Sequence, residues 1–309
     1  MRILVLGGAG FIGINFLKTV IKNNKYLILN IDKLTYASNK KEITKFNKFK
    51  NYQFIKTDIT NYSKIQSIID RFKPNKIINF AAETHVDNSI QSSLEFIKSN
   101  YIGTYNLLRL SQKYYNNLTS INKKKFIYFQ VSTDEVYGSL KKNERKFTEF
   151  SPIDPRSPYS ATKAGADHLV RSWFYTYNLP IFISHCSNNF GPFQHKEKLI
   201  PKTIENCIRK KIIPIYGNGK QIREWIYVQD HIDAILHILD YGVIGENYNI
   251  GSGYETENII LVKKICNIYN SLSHTSFDAK KLIKYVKDRP GHDFRYALNS
   301  KKIKTLGWK

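Results

Sequence analysis

The 309-residue sequence predicts an α/β protein, a doubly wound parallel sheet followed by a smaller carboxyl-terminal α/β domain. Three observations predict it. Short apolar runs alternate with helical patterns over the first 187 residues, and a glycine-rich turn joins the first strand to the first helix. Beyond about residue 188 the alternation loosens, punctuated by Pro192, Pro201, Pro214, Gly217 and Gly219. In order, Arg2–Leu6 reads as a buried strand, Phe11–Lys22 as a helix and Tyr26–Ile31 as a second strand. Tyr52–Lys56 is a third strand, Tyr62–Phe72 a polar-apolar helix and Asn75–Ala81 a fourth strand. One long helix is expected over Ser92–Tyr115, then a strand at Phe126–Ser132, a helix at about Ser157–Tyr177 and a strand at Ile181–His185. Strand–helix–strand repetition of this kind gives parallel neighbours, because each crossover returns the chain to the same edge of the sheet.

Composition narrows the class further. With 42% hydrophobic and 14% aromatic residues the chain can bury a full-sized core, which excludes a disordered protein. Lys and Arg exceed Asp and Glu by 48 to 25, a net charge of +23, yet the basic residues are scattered. No basic arm or base-reading motif accompanies them, so they read as solvated lysines and not as a nucleic-acid surface. Cys186, Cys207 and Cys266 are far apart in sequence with no C-x-x-C pair, and the eight histidines show no H-x-x-x-H pattern. A disulfide framework and a metal site are therefore not expected, and a reducing compartment fits. No apolar run reaches the roughly 18–20 residues of a membrane span. Met1–Leu6 mimics the start of a signal peptide, but the glycines at 7, 8, 10 and 13 and the early Lys18 and Lys22 break that pattern. A cytoplasmic protein is expected.

The first chemical signal is Gly7-Gly8-Ala9-Gly10-Phe11-Ile12-Gly13 between strand and helix. Gly7, Gly10 and Gly13 leave room for a tight turn and for close approach of a pyrophosphate to the helix N-terminus. Asp32 follows Gly13 by 19 residues, at the end of the second strand, where a carboxylate accepts from ribose hydroxyls. Its charge repels a 2′-phosphate and so favours NAD over NADP, with the adjacent Lys33 acting against that preference. Asp58-Ile59, after the third strand, sits where it can border the adenine. The expected division is residues 1–187 for a Rossmann-type NAD-binding domain and 188–309 mainly for a substrate domain, some segments returning to the first.

The second signal is Tyr159-Ser160-Ala161-Thr162-Lys163. Positions i and i+4 share a helix face, so phenol and ammonium point the same way, and a nearby cation lowers a phenol's pKa. Spacing alone is weak evidence, since Tyr36/Lys40, Tyr52/Lys56, Tyr137/Lys141 and Tyr216/Lys220 share it. Only Tyr159 follows a Ser157-Pro158 helix start and stands downstream of a strand ending in Ser132-Thr133. The third signal is Asp134-Glu135, two adjacent carboxyls directly after that strand. Ligands bind at the carboxyl ends of parallel strands, and an acid pair suits a reaction needing both a carbon base and a leaving-group acid.

These residues together resemble the extended short-chain dehydrogenase/reductases, and among them the dTDP-glucose 4,6-dehydratases. The resemblance runs over essentially the whole chain. It is carried by the glycine motif, Asp32-Lys33-Leu34-Thr35-Tyr36-Ala37, Ala81-Ala82-Glu83-Thr84-His85-Val86-Asp87, Ser132–Gly138, Ser157–Lys163, Cys186–Pro192, Glu197–Pro201, Gln221–Trp225 and Asp288–Asp293. The Thr-Asp-Glu triplet is its most specific element, because related epimerases carry small or hydroxylic residues there. The resemblance implies NAD as cofactor, with Phe11, Ile12, Lys33, Thr35, Ala81 and Ala82 beside the glycines and Asp32. It implies that Thr133 binds the 4-oxygen of the sugar, Tyr159 deprotonates it, Lys163 holds the nicotinamide ribose, Glu135 removes the C5 proton and Asp134 protonates the departing C6 hydroxyl. It further implies Thr84, Asn189, Lys198, Leu199, Pro214, Tyr216, Arg223, Asn258, Arg289 and His292 around the nucleotide-sugar. Arg223 and Arg289 suit a diphosphate and Tyr216 a base.

Trp225, Tyr227 and the Trp173-Phe174-Tyr175-Tyr177 stripe are expected in the core or between subunits, since the family dimerises through the helices at about 92–115 and 157–177. The sequence departs from the family at Asn88, where Arg is usual, at His185, where Asn is common, and at Arg156 and Gly165. Family members continue past the Leu306-Gly307-Trp308 signature with a further helix, whereas this sequence stops at Lys309. The competing readings are a nucleotide-sugar 4-epimerase or oxidoreductase, a 4,6-dehydratase acting on UDP-glucose, a non-catalytic NAD-dependent regulator and a nucleic-acid binder.

Overall fold

The computed structural model describes residues 1–273 and 277–309. Twelve strands occur among them: β1 (Arg2–Leu6), β2 (Leu27–Asp32), β3 (Tyr52–Lys56), β4 (Lys76–Asn79), β5 (Ile127–Thr133), β6 (Ile181–Cys186), β7 (Asn188–Phe190), β8 (Ile213–Tyr216), β9 (Ile222–Tyr227), β10 (Asn247–Ile250), β11 (Glu255–Glu257) and β12 (Ile283–Val286). Seven of them form one sheet in the order β10-β6-β5-β4-β1-β2-β3, every pair parallel. Strand alternation explains why this sheet needs helices on both faces. Ile3 and Val5 of β1 pack with Phe16 and Leu17 of the Phe11–Val20 helix and Ile235 of the Val228–Tyr241 helix. Leu4 and Leu6 point the other way, into Ile65, Leu107, Leu108 and Trp173. Each fully buried aliphatic side chain contributes about 1.5–3 kcal/mol.

Strand order reverses at β1, whose neighbours β2 and β4 lead the chain outwards in opposite directions. That is the place where an open parallel sheet leaves a crevice at its carboxyl edge. The carboxyl-terminal half builds a three-stranded sheet, β11-β9-β7, and a two-stranded one, β12-β8, while β10 lies beside β6 in the large sheet. No helix among the described residues is long and apolar enough to cross a membrane.

One expectation needs correction. The single long helix over 92–115 is instead Ser93–Phe96, a π-helical segment Ile97–Ile102 and an α-helix Gly103–Asn116. The wider turn places Asn100 inward, where its amide bridges the Glu83 backbone and the Thr162 hydroxyl. Gly103 follows because a Cβ there would lie 2.5 Å from Ile59 Cδ1. Cys207 and Cys266, distant in sequence, meet in the fold with their buried Sγ atoms 3.9 Å apart, and all three cysteines are free.

Candidate active site

The glycine turn is shaped by contacts that a side chain would occupy. Gly7 has φ +78°, and a Cβ on it would stand 2.5 Å from Ala81 N. One on Gly13 would stand 2.4 Å from Gly7 O, whereas at Gly10 the nearest atom is Gly7 O at 3.3 Å, so Gly10 keeps the outer side of the turn open. Gly10 is also the N-cap of the Phe11–Val20 helix, with no side chain over the free N–H groups. Gly8, which the motif does not single out, faces Asn30 and donates its N–H to Asn30 Oδ1 at 3.1 Å. Asp32 accepts from Ala9 N at 2.9 Å and Leu34 N at 2.7 Å, which leaves lone pairs for ribose hydroxyls. Lys33 is tied to Glu83 at 2.8 Å and to Asp58 at 3.8 Å. Burial opposes its charge, but those carboxylates outweigh it and raise its pKa. The glycine cradle and acceptor set fit a dinucleotide.

One cleft is lined by Gly7, Gly10, Phe11, Ile12, Gly13, Asp32, Lys33, Thr35, Asp58, Ile59, Ala81, Ala82 and Thr84, and continues past Thr133, Asp134, Glu135, Tyr159 and Lys163 to Asn189 and Lys198. Strand β5 delivers the reactive part. It ends at Thr133, whose hydroxyl accepts from Glu135 N at 3.3 Å and caps a 3-10 turn over Asp134–Tyr137. Asp134 is 2% exposed and its Oδ2 has no hydrogen-bond partner among the described residues. Burial pushes its pKa well above the ordinary carboxyl value, and the Glu135 and Glu224 charges add to that, which favours the protonated form. Burial also raises Glu135, but Arg289, Arg223 and Lys198 pull it back. Both neighbouring carboxyls are thus raised, Asp134 with anions adding to its burial and Glu135 with three cations opposing it.

The Pro158–Tyr177 helix supplies the other pair. It starts at a Ser157/Ser160 capping box with Pro158 in its first turn, which fixes the position of Tyr159. The expected lowering of the Tyr159 pKa by Lys163 is not found. Burial pushes the phenol well above its usual value, and Glu135 adds to that. The Lys163 ammonium donates to Val131 O at 2.8 Å, and burial lowers its own pKa. Desolvation outweighs the i, i+4 neighbour in this state of the site.

The residues expected around a nucleotide-sugar fall into two groups. Asn189 and Lys198 reach the cleft, and Lys198 Nζ donates to Thr84 O at 3.0 Å. Leu199, Pro214, Tyr216, Arg223, Asn258, Arg289 and His292 do not line it. Leu199 and Pro214 belong to the packing of the smaller part, the former against the Cys207–Cys266 cluster and the latter within β8. Arg223 has two of its nitrogens committed, NH1 to Ile222 O at 2.8 Å and NH2 to Asp293 O at 2.9 Å, and lies over the Tyr296 ring at 4.2 Å. Tyr216 donates to Asp87 at 3.2 Å, Arg289 stands 3.6 Å from the same carboxylate, and the Tyr216 and His292 rings meet edge-on. Arg289 Nε and Asn258 Oδ1 are buried without a hydrogen-bond partner among the described residues.

Sequence reasoning missed several residues of this region. Asn100 reaches it only through the π-helical turn, Ser99 lines the cleft and lies 3.4 Å from Lys33 Nζ, and buried His231 meets Asn189 Oδ1 at 2.9 Å. None has a spacing signal. The departures from the family pattern also find places: Asn88 donates to Tyr36 Oη at 3.3 Å, Arg156 pairs with Asp154 at 3.3 Å, and a Cβ on Gly165 would meet the Tyr101 ring at 3.0 Å.

A doubly wound sheet with a glycine turn at its reversal point and a Tyr/Lys pair beside a strand tip defines an extended short-chain dehydrogenase/reductase. The family model described as GDP-mannose 4,6 dehydratase matches residues 4–309. The chain belongs to this family, and within it to the dTDP-glucose 4,6-dehydratase group. It is 44% identical to a dTDP-glucose 4,6-dehydratase of Haemophilus influenzae over 100% of this chain and 93% of that protein. The crystal structure of the Bacillus anthracis dTDP-glucose 4,6-dehydratase in complex with NAD superposes with a TM-score of 0.86 at 41% identity, covering 99% of this chain and 90% of the other. A Streptomyces venezuelae dTDP-glucose 4,6-dehydratase with NAD and dTDP bound gives a TM-score of 0.90 at 36% identity, covering 100% and 92%.

Proposed function

We propose that this protein dehydrates dTDP-glucose to dTDP-4-keto-6-deoxyglucose, with NAD in the glycine cradle. The observation that carries the reading is the Asp134–Glu135 pair at the tip of β5, both raised by burial, Asp134 well above its ordinary value and Glu135 against the pull of Arg289, Arg223 and Lys198. A plain alcohol oxidation has no use for that pair. NAD, when bound, accepts hydride from C4 and returns it to C6, so the sugar leaves with no net redox change.

The chain's own residues do the rest. Thr133 binds the 4-hydroxyl and Tyr159 takes its proton, which needs the phenol made more acidic than its desolvated state. Lys163 supplies the nearby positive charge and holds the nicotinamide ribose. Once C4 is a ketone, the C5 hydrogen is acidic because the carbanion spreads onto the carbonyl. Glu135 removes that proton and protonated Asp134 donates to the C6 hydroxyl, which departs as water. Arg289, Arg223, Lys198 and Asn189 hold the diphosphate side, with Tyr216, Asn258 and His292 towards the nucleotide; Leu199 and Pro214 support that wall. The division of labour we infer is residues 1–187 for the cofactor and 188–309 mainly for the nucleotide-sugar.

We also infer a cytoplasmic homodimer. Ile90, Leu94, Ile97, Tyr101 and Ile102, with Tyr175 and Tyr177, leave apolar surface exposed on the segments 86–116 and 158–177, which suits an isologous contact between two copies. Buried thiols and the absence of a cysteine framework suit a reducing compartment.

Incubation with NAD and an equal mixture of dTDP-glucose and UDP-glucose tests the function. The expected product is a dTDP-4-keto-6-deoxy sugar, seen as a loss of water by mass spectrometry and by the alkali-induced absorbance of the ketone. Deuterium at C4 is expected in the new methyl group. An unchanged dTDP-glucose, or a product inverted at C4, overturns the proposal.

A further inference from the structure

Residues 192–198 follow β7 and lead into the Leu199–Ile208 helix. Four of them, Gln194, His195, Glu197 and Lys198, line the same cleft as the glycine turn and Asp32. Side chains and backbone of the cofactor half hold this segment at both ends. At its start, Asn15 Nδ2 donates to Pro192 O at 2.9 Å, Asn39 Nδ2 donates to Phe193 O at 3.3 Å, and the Lys18 ammonium lies 4.3 Å from the centre of the Phe193 ring. At its end, Lys198 Nζ donates to Thr84 O at 3.0 Å and Tyr36 Oη donates to Glu197 Oε2 at 3.1 Å. The same Glu197 oxygen stands 3.8 Å from His85 Nε2 and 3.4 Å from His195 Nδ1. Tyr36 accepts in turn from Asn88, one of this chain's departures from the family pattern, and meets the His195 ring edge-on at 5.3 Å. Phe193 has φ +70°, a left-handed conformation that a bulky side chain rarely adopts and that persists only where neighbouring contacts impose it.

We propose that residues 192–198 are a strap across the cofactor cleft, and that the hydrogen bond from Tyr36 to Glu197 is the latch that keeps NAD from exchanging. The inference rests on NAD lying in the glycine cradle, whatever sugar reacts beside it. Tyr36 sits on the connection that follows Asp32, and Glu197 on the segment that enters the carboxyl-terminal half, so their bond closes the cleft between the two halves. Among the described residues, no backbone–backbone hydrogen bond ties 192–198 to the cofactor half, so the strap can lift without disturbing either sheet. Tyr36 is 58% exposed, which puts the latch at the surface, where local opening is easiest. The opposite end, with Asn15 and Asn39 on successive carbonyls, is the hinge. Such a strap suits a reaction that takes hydride from a sugar and returns it to the same sugar, because the cofactor has no need to leave between the two transfers.

The test follows NAD itself in the full chain. Release is timed by chasing adenine-labelled NAD with an excess of unlabelled NAD, and Kd is measured by equilibrium dialysis of the same label. Neither needs turnover, so failure of the dehydratase reading and failure of this inference are distinguishable. The latch joins two protein groups and not the cofactor, so its loss quickens entry and exit together, whereas loss of a direct contact to NAD quickens exit alone. Tyr36→Phe, which keeps the ring beside His195, is expected to speed release about tenfold and to leave Kd within about threefold of the parent. Glu197→Ala is expected to do at least as much, since it also frees His85 and His195, and the double variant is expected to match Glu197→Ala. Unchanged release in Tyr36→Phe overturns the proposal. So does a Kd that rises in step with release, which makes Tyr36 a cofactor contact or the change a general loosening, and so do effects that multiply in the double variant. If Glu197→Ala does not fold, Tyr36→Phe decides by the same comparison of release with Kd.

Discussion

The tip of β5 and the cationic wall opposite it are built on different principles. Thr133, Asp134 and Glu135 stand at the end of a strand buried along its whole length, between β4 and β6 of the seven-stranded sheet. Arg223, Arg289 and His292 come from short strands and connecting segments, held by backbone carbonyls and ion pairs such as Asp87–Arg289 and Asp288–His292. The first arrangement fixes atoms where protons move. The second consists of donors held by partners that a ligand can replace, as the Arg289–Asp87 ion pair at 3.6 Å illustrates. On the proposed function, the reacting end of the sugar meets side chains set on the central sheet and the nucleotide meets side chains set on shorter segments.

If that contrast is right, changes at the β5 tip strike the chemical step and changes in the wall strike affinity. Glu135→Gln is the largest expected effect, a fall of about 10³-fold in dehydration with C4 oxidation retained. Bound NADH accumulating during a single turnover, with no product, is the expected signature; dehydration at the parent rate removes Glu135 as the carbon base. Arg289→Ala is expected to raise KM by about 10–100-fold, the loss of a charge-assisted contact, while kcat falls less. A fall in kcat with KM unchanged would place Arg289 among the chemical groups and erase the contrast.

The effect of Asp134→Asn on stability is the smallest, and it is opposite in sign to the effect on activity. The folded protein holds the Asp134 carboxyl well above its unfolded value. Its contribution to stability is therefore full below the unfolded pKa and lost as pH rises towards the folded one. At neutral pH the variant is expected to melt about 2–5 °C higher than the parent, with the gain vanishing below about pH 4, while dehydration is impaired. A melting gain independent of pH means that something other than ionisation was relieved.

The two regions were not equally legible. The large sheet could be read because parallel strands buried on both faces leave continuous apolar runs, and Tyr52–Lys56 and Tyr62–Phe72 fall on the expected bounds. The chemical motifs could be read because Gly7, Asp32, the Thr133–Glu135 triplet and Tyr159/Lys163 are local patterns. The smaller part resisted because its strands run from three to six residues and pair with distant partners, as Asn188–Phe190 does with Trp225–Tyr227. The π-helical turn escaped because its cause is Asn100 meeting Glu83 and Thr162, contacts with no imprint on spacing.

The sequence by itself determined the fold class, the cofactor turn and the identity of the reactive groups, since backbone freedom, helical periodicity and functional-group chemistry are properties of neighbours along the chain. Tertiary structure alone decided their electrical states. Asp134 is raised well above an ordinary carboxyl, Glu135 is raised against the pull of Arg289, Arg223 and Lys198, and the Tyr159 phenol is raised despite Lys163. Ionisation depends on the water removed and the charges gathered around a group, and folding brings those from every part of the chain.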